Sequence, residues 1–134
     1  MHERNWTPED MMTIAAARQV RNRVTCFVGV GVPSVAACLA KSMHAADVIL
    51  VYESGAIGAK PPVAPLSIAD YEVAETADLI VGVQELFSYW LQGGRIATAF
   101  ISTAQIDRFG NLNSTVVGDY RQPKVRLPDP CTYA

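Results

Sequence analysis

Apolar positions along this chain fall into short blocks of two kinds, and the alternation between them sets the expected fold. Residues 24–30 and 46–52 are nearly continuous runs of β-branched and other apolar side chains, the pattern of strands buried in a sheet. Thr7-Pro8-Glu9-Asp10 is a helix start in which every letter has a physical reason, and Met11, Ile14, Ala15 and Arg18 continue the helix. Thr7 supplies an N-cap hydroxyl, Pro8 sits at the first helical position, and Glu9 and Asp10 face the positive end of the helix dipole. Arg18, Arg21 and Arg23 follow near its C-terminal end, and the helix is expected to cover one face of a sheet. A second helix is expected over residues 35–43.

Farther along, residues 79–83 read as a buried strand, and residues 84–91 carry apolar side chains at helical spacing closed by Gly93 and Gly94. Residues 95–101 give one more strand. The intervening stretch 58–69 contains Pro61, Pro62 and Pro65, which remove backbone donors, so an ordered loop crossing the mouth of a site is expected there. Residues 70–78 are short and acidic, enough for one helical turn. Residues 105–115 read as a chain reversal, with Asp107 to Gly110 as the turn. Gln105, Asn113, Ser114 and Thr115 place polar groups there in what is expected to be a half-buried position, where they either lock a loop or line a pocket.

Two of these blocks end in residues with chemical potential. The first strand runs into Gly29-Val-Gly31-Val-Pro33-Ser34 and then a helix, the arrangement of a phosphate or acyl cradle, or simply of a tight turn between strand and helix. The third glycine of a dinucleotide fingerprint and the G-K-[ST] of a P-loop are both missing. The second strand ends on Glu53, followed by Ser54, Gly55 and Gly58. A carboxylate there lies where open α/β sheets bind ligands, although a solvated strand end gives the same letters. Two successive strand–helix units place their strands side by side and parallel. The glycine loop and Glu53 are therefore expected on one edge of one sheet.

Composition narrows the classes. A chain of 134 residues, half of them hydrophobic and 18% charged, is expected to form a single soluble domain. Its net charge of -2 and lack of a basic stripe argue against nucleic acid as a partner. The apolar runs are too short to span a membrane, and residues 1–6 carry no secretion signal. Cys26, Cys38 and Cys131 are odd in number and lack C-x-x-C spacing, which fits packing residues in a reducing cytoplasm. His2 and His44 match no ligand spacing, so no metal site is expected and neither histidine is a catalytic candidate.

Three segments in order, V-G-V-G-V-P at 28–33, E-S-G at 53–55 and A-Q-I-D-R-F-G-N-L-N-S-T-V-V-G-D-Y at 104–120, resemble one family. It comprises the β subunits, or β-type domains, of class I coenzyme A transferases, in particular the branch typified by glutaconate CoA-transferase. The resemblance runs from the first helix to Arg126. It implies an open, mostly parallel α/β sheet flanked by helices, and an active site at the junction with an α-type subunit. Glu53 matches the family's glutamate nucleophile, which forms a glutamyl-CoA thioester in a ping-pong transfer between small carboxylic acids. Coenzyme A is then a substrate, with no permanently bound cofactor.

Both halves of that chemistry pass through oxyanions, which need preset donors. Gly29, Gly31, Ser54 and Gly55 are the expected oxyanion and CoA-binding loop, while Gln105, Asn113, Ser114 and Asp119 are expected to shape the pocket. Family β subunits are roughly twice as long, continuing after G-D-Y-x-x-P-K-x-R into a glycine-rich loop and a C-terminal half. Residues 1–134 are thus expected to form one β-type domain without that half, and uncovered apolar surface implies a hetero- or homo-oligomer. Two other readings stay open: a CoA-thioester hydrolase on the same scaffold, and a non-catalytic truncated binding or assembly module.

Overall fold

A computed structural model describes residues 5–29, 31–67, 70–101 and 103–127. His2, Cys131 and the last residues of the expected 24–30 strand and 58–69 loop, Val30 and Ile68 with Ala69, lie outside the described residues. Residues 1–100 and 101–134 form two compact units.

In the first unit, five strands make one mixed sheet: β1 (Thr25–Val28), β2 (Ile49–Tyr52), β3 (Ala56–Ile57), β4 (Leu79–Ile80) and β5 (Thr98–Ala99), in the order β4-β3-β2-β1-β5. The centre is parallel, with β1 paired to β2 on one side and to β5 on the other. The β3 and β4 strands add an antiparallel flank. Strand side chains alternate between faces, and the two faces bury different sets. Cys26, Val28, Leu50 and Tyr52 pack with Ala36, Ala37 and Ala40 of α2 (Val32–Met43). On the opposite face, Phe27, Val51 and Ile57 pack with Leu86, with Phe87 edge-on to Phe27 at 6.0 Å between ring centroids. Three alanines on one face of α2 let its backbone lie close to the sheet.

The helix α1 (Pro8–Ala17) begins as its letters require. Thr7 Oγ1 accepts from the Asp10 amide at 3.1 Å, and the Asp10 carboxylate accepts from the Thr7 amide at 2.8 Å, a complete capping box. The Thr7 amide bond, and after it the Thr7 hydroxyl donating to the same carboxylate at 2.8 Å, hold the Asp10 pKa below its ordinary value. The helix stops earlier than expected: Arg18 is its cap, and Arg21 and Arg23 lie beyond it. It also packs chiefly along α2, and Ala17 with the following Val20 reaches the core. His44 closes α2, and its Nε2 lies 3.0 Å from the Val20 carbonyl oxygen, a structural tie.

Three expectations change. Residues 79–83 are not a buried strand: Leu79 and Ile80 form the two-residue edge strand β4, 50% and 59% exposed, because an apolar run does not distinguish a central strand from an edge. The 84–91 helix is divided, an α-helical turn α4 (Val83–Glu85) passing into a π-helical segment (Leu86–Leu91). The proline-containing stretch leaves the sheet from the end opposite Glu53, since β3 runs back along β2 until the Gly58 amide bonds the Leu50 carbonyl at 2.7 Å. A short helix, α3 (Tyr71–Glu75), then leads into β4.

The second unit holds two antiparallel pairs, β6 (Gln105–Ile106) with β7 (Leu112–Asn113) and β8 (Val116–Gly118) with β9 (Pro123–Arg126). The first is the expected reversal. Asp107 accepts from the Phe109 amide at 2.8 Å and from the Asn111 amide at 2.9 Å, and Gly110 takes φ 85°. The side-chain bond from Asn111, then its backbone bond, lowers the Asp107 pKa.

Burial makes two groups of the first unit sensitive to alkali. It pushes the Cys26 thiol from 9.0 up to about 11, and the Tyr52 phenol from 10.0 up to about 12 against an opposing effect of Ser34. As pH rises, the unfolded chain loses these protons first, so the folded state holds more of them and stability falls. The expected Tm is level below pH 9 and declines above it, and Tyr52→Phe should remove part of the decline above pH 10. Identical alkaline profiles for the two proteins would show that Tyr52 is not buried in solution.

A second expectation concerns glycine. At Gly55, with φ 93°, an added Cβ would fall well inside contact distance of the Val81 carbonyl oxygen, whereas Gly94, with φ 70°, has open space around it. Gly55→Ala should therefore cost more than about 2 kcal/mol and Gly94→Ala about 1 kcal/mol. Urea unfolding midpoints measure both, and equal shifts would contradict the close approach at Gly55.

Candidate active site

Parallel pairing of β1 and β2 places Val28 opposite Tyr52. The next residue of each strand is a sequence-predicted site residue, Gly29 after Val28 and Glu53 after Tyr52, so both leave the sheet at the same end. Gly29 is buried and Glu53 half-buried. Gly31 then caps α2 at φ 82° and ψ -138°, a conformation essentially confined to glycine, with its carbonyl accepting from the Val35 amide at 3.1 Å. Pro33 lies in the first turn of the same helix. The structure therefore brings Gly29, Gly31 and Glu53 to one sheet edge.

Glu53 and Ser54 occupy the tip of a tight β2–β3 hairpin. The Gly55 amide donates to the Tyr52 carbonyl at 2.9 Å, closing the turn, and Gly55 takes the left-handed conformation such a three-residue loop needs. A third strand clamps it: the Val81 amide donates to the Gly55 carbonyl at 3.0 Å, and Ala56 pairs with Ile80. The base of this three-stranded meander is held by the Asp78 amide on the Ile57 carbonyl and by the Lys60–Asp78 ion pair, 2.6 Å apart. The Gly55 N–H is thus committed to the turn. Its part here is conformational.

The hairpin was legible in principle. Tyr-Glu-Ser-Gly followed by Ala-Ile-Gly carries the signal of a three-residue loop with glycine at its left-handed position, but the small residues read more simply as a loop. Sequence reasoning also passed over a buried polar group behind the site. Ser34 in the first turn of α2 and Tyr52 at the end of β2 are both fully buried, and among the described residues neither hydroxyl completes a hydrogen bond. Cys38, one turn beyond Ser34, lies close enough to interact with both. Burial is the larger influence on the Cys38 thiol and raises its pKa.

Gln105, Asn113, Ser114 and Asp119 belong to the second unit, where three of them have bonds that hold local structure. Asn113 Nδ2 donates to Gln105 Oε1 and to the Val116 carbonyl, both at 2.7 Å, tying β6, β7 and β8. Asp119 Oδ1 accepts from the Arg121 amide at 2.7 Å, shaping the turn before β9. Of the polar residues expected to be half-buried, Asn113 and Ser114 are, while Gln105 and Thr115 are exposed. No group of three or more metal-ligating side chains is found among the described residues. Among the same residues, no helix is long and apolar enough to cross a membrane.

Comparison with known proteins agrees with the fold. The chain is 60% identical over 123 residues to the 3-oxoadipate CoA-transferase B subunit of Pseudomonas knackmussii, an alignment covering 92% of this chain and 47% of that protein. It is 36% identical over 129 residues to the glutaconate CoA-transferase B subunit of Acidaminococcus fermentans, covering 92% and 48% respectively. The crystal structure of the glutaconate coenzyme A-transferase from the same organism superposes with a TM-score of 0.79 at 34% identity, over 92% of this chain and 49% of that one. The chain spans about half the length of the curated relatives it matches. With the Coenzyme A transferase family profile matching residues 9–130 as well, the chain belongs to the coenzyme A transferase family.

Proposed function

We propose that this chain is the Glu53-bearing part of a β-type CoA-transferase subunit, working with an α-type subunit to move coenzyme A between small carboxylic acids. The observation that supports the reading is the Val28–Tyr52 register, from which Gly29 and Glu53 leave two parallel strands at the same end. The two relatives are named for 3-oxoadipate and glutaconate, both dicarboxylic acids, so the proposed acceptors are small dicarboxylates.

Glu53 Oε attacks the acyl-CoA carbonyl carbon and expels CoA thiolate, leaving a mixed anhydride. The thiolate attacks the glutamyl carbonyl, forming the enzyme-CoA thioester and releasing the first acid as its carboxylate. A second carboxylate attacks that thioester and reverses both steps, so electrons and protons balance with no further reagent. A carboxylate is a weak nucleophile in water, and its position on a clamped turn supplies the orientation such an attack needs. Each tetrahedral oxyanion calls for N–H donors already in place, the role given to the Gly29–Gly31 loop.

Incubation with acyl-CoA and the co-expressed α-type subunit, followed by borohydride, should reduce Glu53 to the alcohol, visible in the mass of its peptide. Glu53→Gln should abolish the modification. Glu53→Asp, one methylene shorter, should slow it about 100-fold, the scale of a 1 Å misplacement. Thioester turnover with an unmodified Glu53 peptide would instead identify a hydrolase. Neither turnover nor modification would leave only a binding module.

A further inference from the structure

We propose that Ser34, Cys38 and Tyr52 form a buried positioning cluster that couples the Gly31-capped start of α2 to the turn carrying Glu53. The inference rests on Glu53 being the nucleophile only for its catalytic consequence.

The argument begins from cost. Ser34 and Tyr52 are both 0% exposed, and among the described residues neither hydroxyl oxygen has a hydrogen-bond partner of proper geometry. A buried polar group left in that state costs about 1–3 kcal/mol, whereas apolar residues of the same shape would cost nearly nothing. The surroundings are otherwise apolar: Cys26, Val28, Leu50, Ala36, Ala37 and Ala40. Polar atoms are therefore kept where packing alone would favour phenylalanine and alanine.

Their places in the chain point to what they join. Ser34 lies three residues after Gly31, in the first turn of α2, and Cys38 follows on the same face four residues on. Tyr52 is the last residue of β2, its carbonyl accepts the hydrogen bond that closes the Glu53 turn, and its strand neighbour Val28 leads into the glycine loop. The Tyr52 phenol is within interacting distance of both Ser34 and Cys38. A hydroxyl rotates to suit its neighbours, so these three groups orient one another and tie the two halves of the site from behind. Neither Ser34 nor Tyr52 reaches solvent, so the cluster acts through Glu53 and the glycine loop and does not touch substrate.

Amide hydrogen exchange tests the coupling without catalysis, using the full chain with Ser34→Ala, Tyr52→Phe and the double variant. Val35 N–H, bonded to Gly31, reports on the helix start, and Gly55 N–H, bonded to Tyr52, on the Glu53 turn. Ser34→Ala should speed exchange at Gly55, and Tyr52→Phe at Val35, each about fivefold, the scale of coupling between contacting residues. Gln92, bonded to Phe87 beside the other face of the sheet, should not change. Effects confined to each variant's own element, or spread equally to Gln92, would overturn the proposal.

With the α-type subunit and acyl-CoA, either variant should lower the saturating rate of Glu53 modification about tenfold, with the half-saturating concentration unchanged. An unchanged rate beside a changed Tm would mean a structural role only. A wild-type protein that is never modified would sink the nucleophile reading, and the exchange data would still decide the coupling.

Discussion

The register between two short parallel strands governs the rest of this structure. Val28 lies opposite Tyr52, and a shift of one residue would separate Gly29 from Glu53 and turn the slipped strand's buried side chains to the wrong face. The register is held on both faces at once. Leu50 and Tyr52 pack on α2, while Val51 packs with Leu86 and Ile57, so slippage in either direction exposes one of the two buried sets. A half-buried carboxylate can be kept at a strand end because the strand beneath it has nowhere to move.

Around that pairing, the chain adds a second restraint from the other side. The β2–β3–β4 meander closes through Gly55, whose missing side chain admits the Val81 carbonyl and whose left-handed backbone allows the turn. Antiparallel strands grip a short tip more tightly than a crossover loop can. The result is a carboxylate on the tip of a hairpin anchored by an edge strand, leaving the sheet at the same end as Gly29. Rigid support from two independent elements suits a site in which small errors in position are expensive.

The second unit uses its polar residues differently. Asp107, Asn113 and Asp119 spend their side chains on neighbouring backbone amides and carbonyls, which is how short hairpins without much apolar cover keep a single shape. Phe109 and Ile106 are left 75% and 66% exposed on the first of them. The long motif shared with the family is thus, within this unit, a set of self-locking turns.

Much of this was legible in the letters. Thr7-Pro8-Glu9-Asp10 specifies a helix start because each side chain meets a need of the first turn, and the capping box forms as written. The apolar runs 24–30 and 46–52 hold the central strands because a sheet covered on both faces buries such runs, and the alternation of strand, glycine turn and helix makes them parallel neighbours. Gln105 to Thr115 is a reversal because Asp107 bonds amides two and four residues ahead. These are local rules or consequences of chain connectivity. What the sequence could not settle depends on which residues meet across space. Leu79 and Ile80 look buried until the sheet order puts them on an edge, and the 58–69 stretch looks like a cover for Glu53 until the β3 hairpin sends it the other way. Glu53, read alone, is equally a solvated cap. The sequence by itself determined the two central strands, their parallel pairing and the residues that follow them; only tertiary packing decided that Gly55 is clamped by Val81 and that Ser34 and Tyr52 are buried together, because each requires contact between segments separated along the chain.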